Sequence, residues 1–194
     1  MNLLAMDKVP DAALTALVYR ADGVAEPGAA PLLSRLAESL CQRGLRVAGV
    51  IEHLEDNPDG PCDVRLEVLG ARIGAGNAIA LSASRGRGAR GCRLDTDALM
   101  RAVSLTQAAL EAGADILIIN KFGKMEAEGS GFRPVLADAV MRGIPVVIGV
   151  PARNLDAFRV FAGEMAVEVM IGAAHQNLAS AAHVALQQQP RADS

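Results

Sequence analysis

Residues 114–120 read ADILIIN and run straight into KFGKMEAEGSGF at 121–132. Four consecutive Ile and Leu positions with no polar alternation describe a strand covered on both faces, as in the middle of a parallel sheet. The runs around it share that character. LTALVYR (Leu14 to Arg20), LRVAGVIEH (Leu45 to His53), IPVVIGV (Ile144 to Val150) and MAVEVMI (Met165 to Ile171) are short, apolar and separated by helical patterns. This alternation predicts an α/β fold: a mostly parallel sheet with helices on both faces.

The helices carry their own punctuation. Pro31 opens the first, Leu32, Leu33, Leu36 and Leu40 form its apolar stripe, and Gly44 closes it. Asp95 or Thr96 caps a second helix with Leu99, Val103, Thr106 and Leu110 on one face, ending at Gly113. A third runs from Phe132 to Arg142, with Pro134 near its start and Gly143 at its end. Asn154 caps a short one through Phe161, and His175 to Gln189 makes the last. One stretch breaks the parallel pattern. After the turn DNPDG (56–60), Val64, Leu66 and Val68 alternate with polar residues, and NAIALSAS (Asn77 to Ser84) can pair back across Gly74 to Gly76. This reads as an antiparallel hairpin insertion with one face exposed. Residues 1–194 are expected to form a single domain, with 1–12 and 190–194 fraying.

Composition narrows the function. The chain has 194 residues, 51% hydrophobic, 21% charged and 3% aromatic, with a net charge of -3. That is enough apolar material for a sizeable core and too much for disorder. No apolar run approaches the roughly 20 residues that span a bilayer, so no membrane insertion is expected. The opening MNLLAMDKVP is too short and broken for a signal peptide, which predicts a cytoplasmic protein. An acidic chain with one Tyr, four Phe and no Trp does not suit nucleic acid. Cys41, Cys62 and Cys92 show no paired spacing and read as reduced thiols. His53 beside Glu52 and Glu55 is better read as a solvated strand end than as a metal site.

The chemistry should lie beyond the carboxyl ends of the parallel strands. SRGRGARGCR (84–93) holds Arg85, Arg87, Arg90 and Arg93 among glycines with no acid between them. Four planar guanidiniums on a flexible ribbon suit a multivalent oxyanion. The competing reading is a basic loop that solvates itself or pairs with Asp95 and Asp97. Cys92, between Arg90 and Arg93, would have a lowered thiol pKa if those charges stay close, although an inert small hydrophobe is the commoner outcome. Lys121 and Lys124 follow the central strand and either reinforce such a site or pair with Glu126 and Glu128. The first strand-to-helix loop, RADGVAEPGAAP (20–31), offers Arg20, backbone N–H groups around Gly23 and Gly28, and a helix N-terminus. It lacks the Gly-Lys-Ser/Thr that a triphosphate loop requires.

These pieces, in this order, resemble a known group. The glycine loop and helix, VAGVIEH, VRLEVLGARIGAGNAIALSAS and ADILIINKFGKMEAEGSGFRPVLADAVMRGIPVVIGV are similar over nearly the whole chain to the thermophile-type nucleoside-triphosphatases, a branch of the P-loop NTPases. They are more similar still to an uncharacterised bacterial nucleoside-triphosphatase-like family. The resemblance implies a P-loop-NTPase-like fold. Where the triphosphatases carry the phosphate-loop Lys-Thr, this chain has DGVAEPGAAP. Where they carry the magnesium-binding Asp-Glu, it has Asn120 and Lys121, while Gly123, Lys124 and Glu126 are retained. Degenerate Walker motifs imply lost hydrolysis. The resembling family's genes sit near molybdate-transport genes, which makes molybdate, tungstate or an oxo-cluster of them the natural candidate ligand.

The expectation is therefore a non-hydrolytic oxyanion-binding protein. Its clamps would be Arg85, Arg87, Arg90 and Arg93, with Lys121, Lys124, Arg20, Asn120, Gly23 and Gly28 completing the site. The rival is a nucleotide hydrolase or transferase in which Lys121 or Lys124 replaces the phosphate lysine, with Asp22, Glu52 or Glu126 standing in for the magnesium ligands. A purely structural interaction subunit has no positive feature, since the aromatic anchors of protein interfaces are scarce. A homo-oligomer remains compatible with the composition.

Overall fold

The computed structural model describes residues 13–20, 28–55, 63–70, 78–83 and 93–171. In chain order the elements are β1 (Leu14–Tyr19), α1 (Ala30–Gln42), β2 (Val47–Glu55), β3 (Asp63–Leu69), β4 (Ala78–Ala80), β5 (Ser82–Ala83), β6 (Arg93–Leu94) and α2 (Thr96–Glu111). They continue with β7 (Ile116–Ile119), α3 (Lys124–Ala127), α4 (Arg133–Met141), β8 (Val146–Pro151), α5 (Leu155–Ala162) and β9 (Ala166–Met170). The main sheet has the order β4-β3-β2-β7-β8-β1-β9, which puts β7 at its centre. Neighbours from β2 to β9 are parallel, and β3 and β4 add antiparallel strands beyond β2.

The central place of β7 follows from its residues. Ile116 and Ile118 face the layer of α1, among Leu33, Leu36, Leu40 and Val147. Leu117 and Ile119 face the layer of α2, α4 and α5, among Leu99, Leu136 and Phe158. Fully burying each such side chain is worth about 1.5–3 kcal/mol. Four in succession reach about 6–12 kcal/mol, comparable to the net stability of a whole domain. A strand of this kind has no favourable position at a sheet edge.

Helices on both faces and the antiparallel insertion match the sequence reading, with small shifts. In α1 the buried stripe is Leu33, Leu36, Ala37 and Leu40, with Leu32 only half buried. Asp95, not Thr96, caps α2: its Oδ1 accepts from the Ala98 N–H at 2.9 Å. Asn154 precedes α5 but makes no side-chain cap. The helix expected at His175 to Gln189, the DNPDG turn, and the Gly74 to Gly76 turn lie outside the described residues. Among the described residues, no helix is long and apolar enough to cross a membrane.

Candidate functional site

The parallel strands β1, β2, β7 and β8 deliver their carboxyl ends to one edge of the sheet. There β7 passes into the turn Asn120–Gly123, and Phe122 anchors that turn. The Phe122 N–H donates to the Gly149 carbonyl at 2.7 Å. Its ring is fully buried against Phe158, edge-on at 5.3 Å, and Phe161, stacked at 5.8 Å. Asn154 contributes from the next layer: its Nδ2 donates to the Phe122 carbonyl at 2.8 Å, in place of the helix cap its position suggested. Gly149 must lack a side chain here. A β-carbon would overlap the Asn120 carbonyl oxygen and lie 2.9 Å from Ala29 Cβ.

Glu126 locks the rest of the turn. Only 5% exposed, it accepts from the Gly123 N–H at 2.8 Å with one oxygen and from the Phe132 N–H at 3.0 Å with the other. It thereby satisfies orphan donors at the starts of both α3 and α4. Gly131 (φ +61) permits this, because a β-carbon there would collide with Glu126 Oε1. Glu126 is thus a structural staple, with both oxygens committed to backbone.

The polar groups at the end of β7 converge on Glu52 of β2. Lys121 Nζ lies 3.1 Å from Glu52 Oε2, and Asn120 Nδ2 lies 3.4 Å from the same oxygen. The expected alternative partners of Lys121, Glu126 and Glu128, do not hold it. Lys124 pairs with Glu128 at 3.6 Å, one helical turn on, and its side chain is 84% exposed. Asn120 is only 7% exposed, and its Oδ1 has no hydrogen-bond partner among the described residues. These groups line a cavity of about 340 Å³ with Val50, Val64, Leu66, Leu81, Leu99 and Phe132 among its other walls.

Farther along the same edge are Tyr19 and Arg153, which the sequence reading did not single out, beside Gly28 and Arg20, which it did. Tyr19 ends β1, and burial pushes its hydroxyl up to about 12; Glu52 adds to the shift and Arg153 opposes it. It is therefore a neutral hydroxyl at physiological pH. Arg153 follows β8 in a short 3-10 turn (Ala152–Asn154) and is exposed. The signal for it was its place, two residues beyond a buried strand. Gly28 (φ +56) leads into α1 with the Tyr19 ring beside it; a β-carbon would sit 3.1 Å from Tyr19 Cε2. Arg20 is exposed just past β1.

The structure thus brings Asn120, Lys121 and Lys124 to one cavity and leaves Arg20 and Gly28 at the end of β1. Gly23, Arg85, Arg87, Arg90 and Cys92 lie outside the described residues. Arg93 opens β6, which pairs antiparallel with β5. Leu81, the residue before β5, is a cavity wall, and its carbonyl accepts from the Asp95 N–H at 2.8 Å. The chain therefore leaves for the arginine-rich segment, and returns from it, beside that cavity. His53 pairs with Glu67 at 2.8 Å, and no group of three or more His, Cys, Asp or Glu positioned to hold a metal occurs among the described residues.

A seven-stranded, mostly parallel sheet with helices on both faces and polar groups gathered at its carboxyl edge defines an α/β protein. The crystal structure of THEP1 from the hyperthermophile Aquifex aeolicus matches it with a TM-score of 0.52 and 18% identity, over 87% of this chain and 96% of that one. The chain belongs to the family described as "Protein of unknown function (DUF2478)", whose model matches residues 14–177. The Molybdenum import ATP-binding protein ModC 2 of Bradyrhizobium diazoefficiens is 33% identical over 132 residues. That match takes in 68% of this chain, which spans only 14% of the length of that relative.

Proposed function

We propose that this protein is a non-hydrolytic binder of a small oxyanion of the molybdate or tungstate class, on a degenerate P-loop-NTPase-like fold. The observation that carries the reading is the placing of two lysines at one cavity beyond the carboxyl end of β7. The turn after β7 brings Lys121 and Lys124 to a cavity, and the wall of that cavity is where the chain departs for Arg85, Arg87 and Arg90 and returns at Arg93. An ammonium has three donors; Lys121 directs one at Glu52 and has two to offer an anion. By the resemblance drawn from the sequence, Asn120 and Lys121 would take the place of a magnesium-binding acid pair in the triphosphatases. A neutral amide and a cation there favour an anion over a cation. The match to a relative named for molybdenum import supports the choice among oxyanions.

The test is a thermal-unfolding panel with molybdate, tungstate, sulfate, phosphate, and ATP with and without magnesium. A ligand at a hundredfold excess over its Kd stabilises the folded state by about 2.7 kcal/mol. Molybdate or tungstate should raise Tm where sulfate does not, and the double variant Arg90→Ala, Arg93→Ala should abolish that rise. An unchanged rise in the variant would overturn the arginine clamp. The second reading, a nucleotide hydrolase or transferase, is favoured by the shared fold and by the ATP-binding relative. It requires magnesium-dependent phosphate release that is lost in Lys124→Ala. A Tm rise with magnesium-ATP alone would decide for it.

A further inference from the structure

We infer that Glu52 selects among oxyanions by sharing a proton with the bound one. An anion basic enough to keep a proton between itself and the carboxylate, as molybdate and tungstate are, is accepted; the far weaker base sulfate is not. The assignment rests on the oxyanion reading and names the residue that discriminates within it.

The two oxygens of Glu52 have different surroundings. Oε2 takes both neighbouring donors, Lys121 Nζ at 3.1 Å and Asn120 Nδ2 at 3.4 Å. Oε1 has no hydrogen-bond partner among the described residues and is not one of the buried unpartnered atoms, so it is open to solvent. The side chain is 19% exposed and lines the cavity, beside Leu66, its register partner on β3. An anion drawn to the two remaining donors of Lys121 therefore arrives against an open carboxylate oxygen.

Two negatively charged oxygens repel unless a proton lies between them. The walls Val50, Val64, Leu66, Leu81 and Leu99 screen that repulsion poorly. Among the described residues of the lining, Lys121 and Lys124 only balance Glu52 and Glu126. A dianion entering intact would leave its charge uncompensated in apolar surroundings, which is costly. One proton taken from solvent halves the charge of the anion and turns the repulsion into a charge-assisted O–H···O bond, a short and strong class. That bond strengthens as its two oxygens approach each other in basicity. Molybdate and tungstate are nearer to a carboxylate in this respect than sulfate is.

The other charged groups around Glu52 leave this role to it. Glu126 is committed to the Gly123 and Phe132 N–H groups, Glu128 to Lys124, and Asp95 to the start of α2. Tyr19, raised by burial and by the Glu52 charge against the opposing Arg153, keeps its own proton. His53, Arg65 and Glu67 alternate with Glu52 and Leu66 and so lie on the opposite face of β2 and β3, where His53 pairs with Glu67.

Calorimetric titration of the full chain with molybdate, tungstate and sulfate, in two neutral buffers of different ionisation heat, counts the protons taken up. About one per molybdate or tungstate is expected, with Kd weakening about tenfold for each pH unit above neutrality. Glu52→Gln places a fixed N–H donor where the shared proton would sit. Uptake should then fall to near zero, Kd should become flat with pH, and the preference for molybdate over sulfate should narrow about tenfold. His53→Gln should take up protons as the natural chain does. If Glu52→Gln does not fold, the proton count and the pH slope of the natural chain still decide. Molybdate binding without proton uptake, or with uptake and selectivity unchanged in Glu52→Gln, would overturn the role of Glu52 and leave the oxyanion reading in place. No saturable anion heat from either chain would overturn both.

Discussion

Removing the Glu126 carboxylate tests whether the turn at the cavity is held by a staple or by a ligand-binding acid. Its two oxygens accept from the Gly123 and Phe132 N–H groups at 2.8 and 3.0 Å. A hydrogen bond to a charged group contributes about 1.5–3 kcal/mol. Glu126→Ala therefore removes about 3–6 kcal/mol at face value. The Phe132 donor is deeply buried, but the Gly123 N–H can regain water, so about 4 kcal/mol is expected. For a domain of this size each kcal/mol moves Tm by about 2–4 °C, giving a fall of about 12 °C. Glu126→Gln keeps one acceptor oxygen and turns an NH2 toward the other N–H, so it should lose about 2–3 kcal/mol, intermediate between the two. Urea unfolding at neutral pH, with circular dichroism as the probe, measures both. A Glu126→Ala loss below about 1 kcal/mol, or an alanine variant of undiminished stability that no longer responds to molybdate, would refute the staple.

Other substitutions probe the same edge. Glu52→Gln leaves Lys121 without its anionic partner and removes a charge that repels the ligand. Near the surface that is worth about 1 kcal/mol, so molybdate affinity measured by calorimetry should rise about fivefold, and Lys121→Ala should lower it. Gly149→Ala forces a β-carbon into the Asn120 carbonyl and Ala29; a loss of about 3 kcal/mol in urea unfolding is expected, at the upper end for overpacking. Asp95→Ala removes the α2 cap and should lower stability by about 1 kcal/mol, with the urea midpoint shifted and the slope unchanged. Hydrogen bonds from Arg46, Arg142 and Arg159 hold Asp115, Asp138 and Glu168 below their ordinary values of 3.8 for Asp and 4.5 for Glu. These acids ionise more readily folded than unfolded, so their contribution is present at neutral pH and is lost as pH falls from those ordinary values through the lower folded ones. Tm should drop through that acid range, and the triple variant Asp115→Asn, Asp138→Asn, Glu168→Gln should flatten the drop.

Much of this architecture is legible in the order of the residues. The unbroken Ile116–Ile119 run required burial on both faces, and the β7 position delivers it. The alternation at Val64, Leu66 and Val68 marked the strand that pairs antiparallel with β2. Pro31, Asp95 and Gly143 sit at the helix ends where their backbone chemistry places them. The lysines after β7 were visible as candidates for the same reason, since a strand's carboxyl end can be read from the strand.

The tertiary structure alone decided which groups meet. Lys121 and Glu52 are 69 positions apart, and their pairing depends on β2 lying beside β7, a fact of sheet order. Asn154 lost its role as a cap because Phe122 packs within its reach. Glu126 read as scaffold, as a partner for the lysines or as a ligand contact, and the start of α4 folding back onto it decides for scaffold. Periodicity and capping report on neighbours a few residues away, because they arise from helix and strand geometry within one element. Which side chains share a cavity is set by strand order, register and the close approaches that Gly131 and Gly149 allow, and those are properties of the packed sheet.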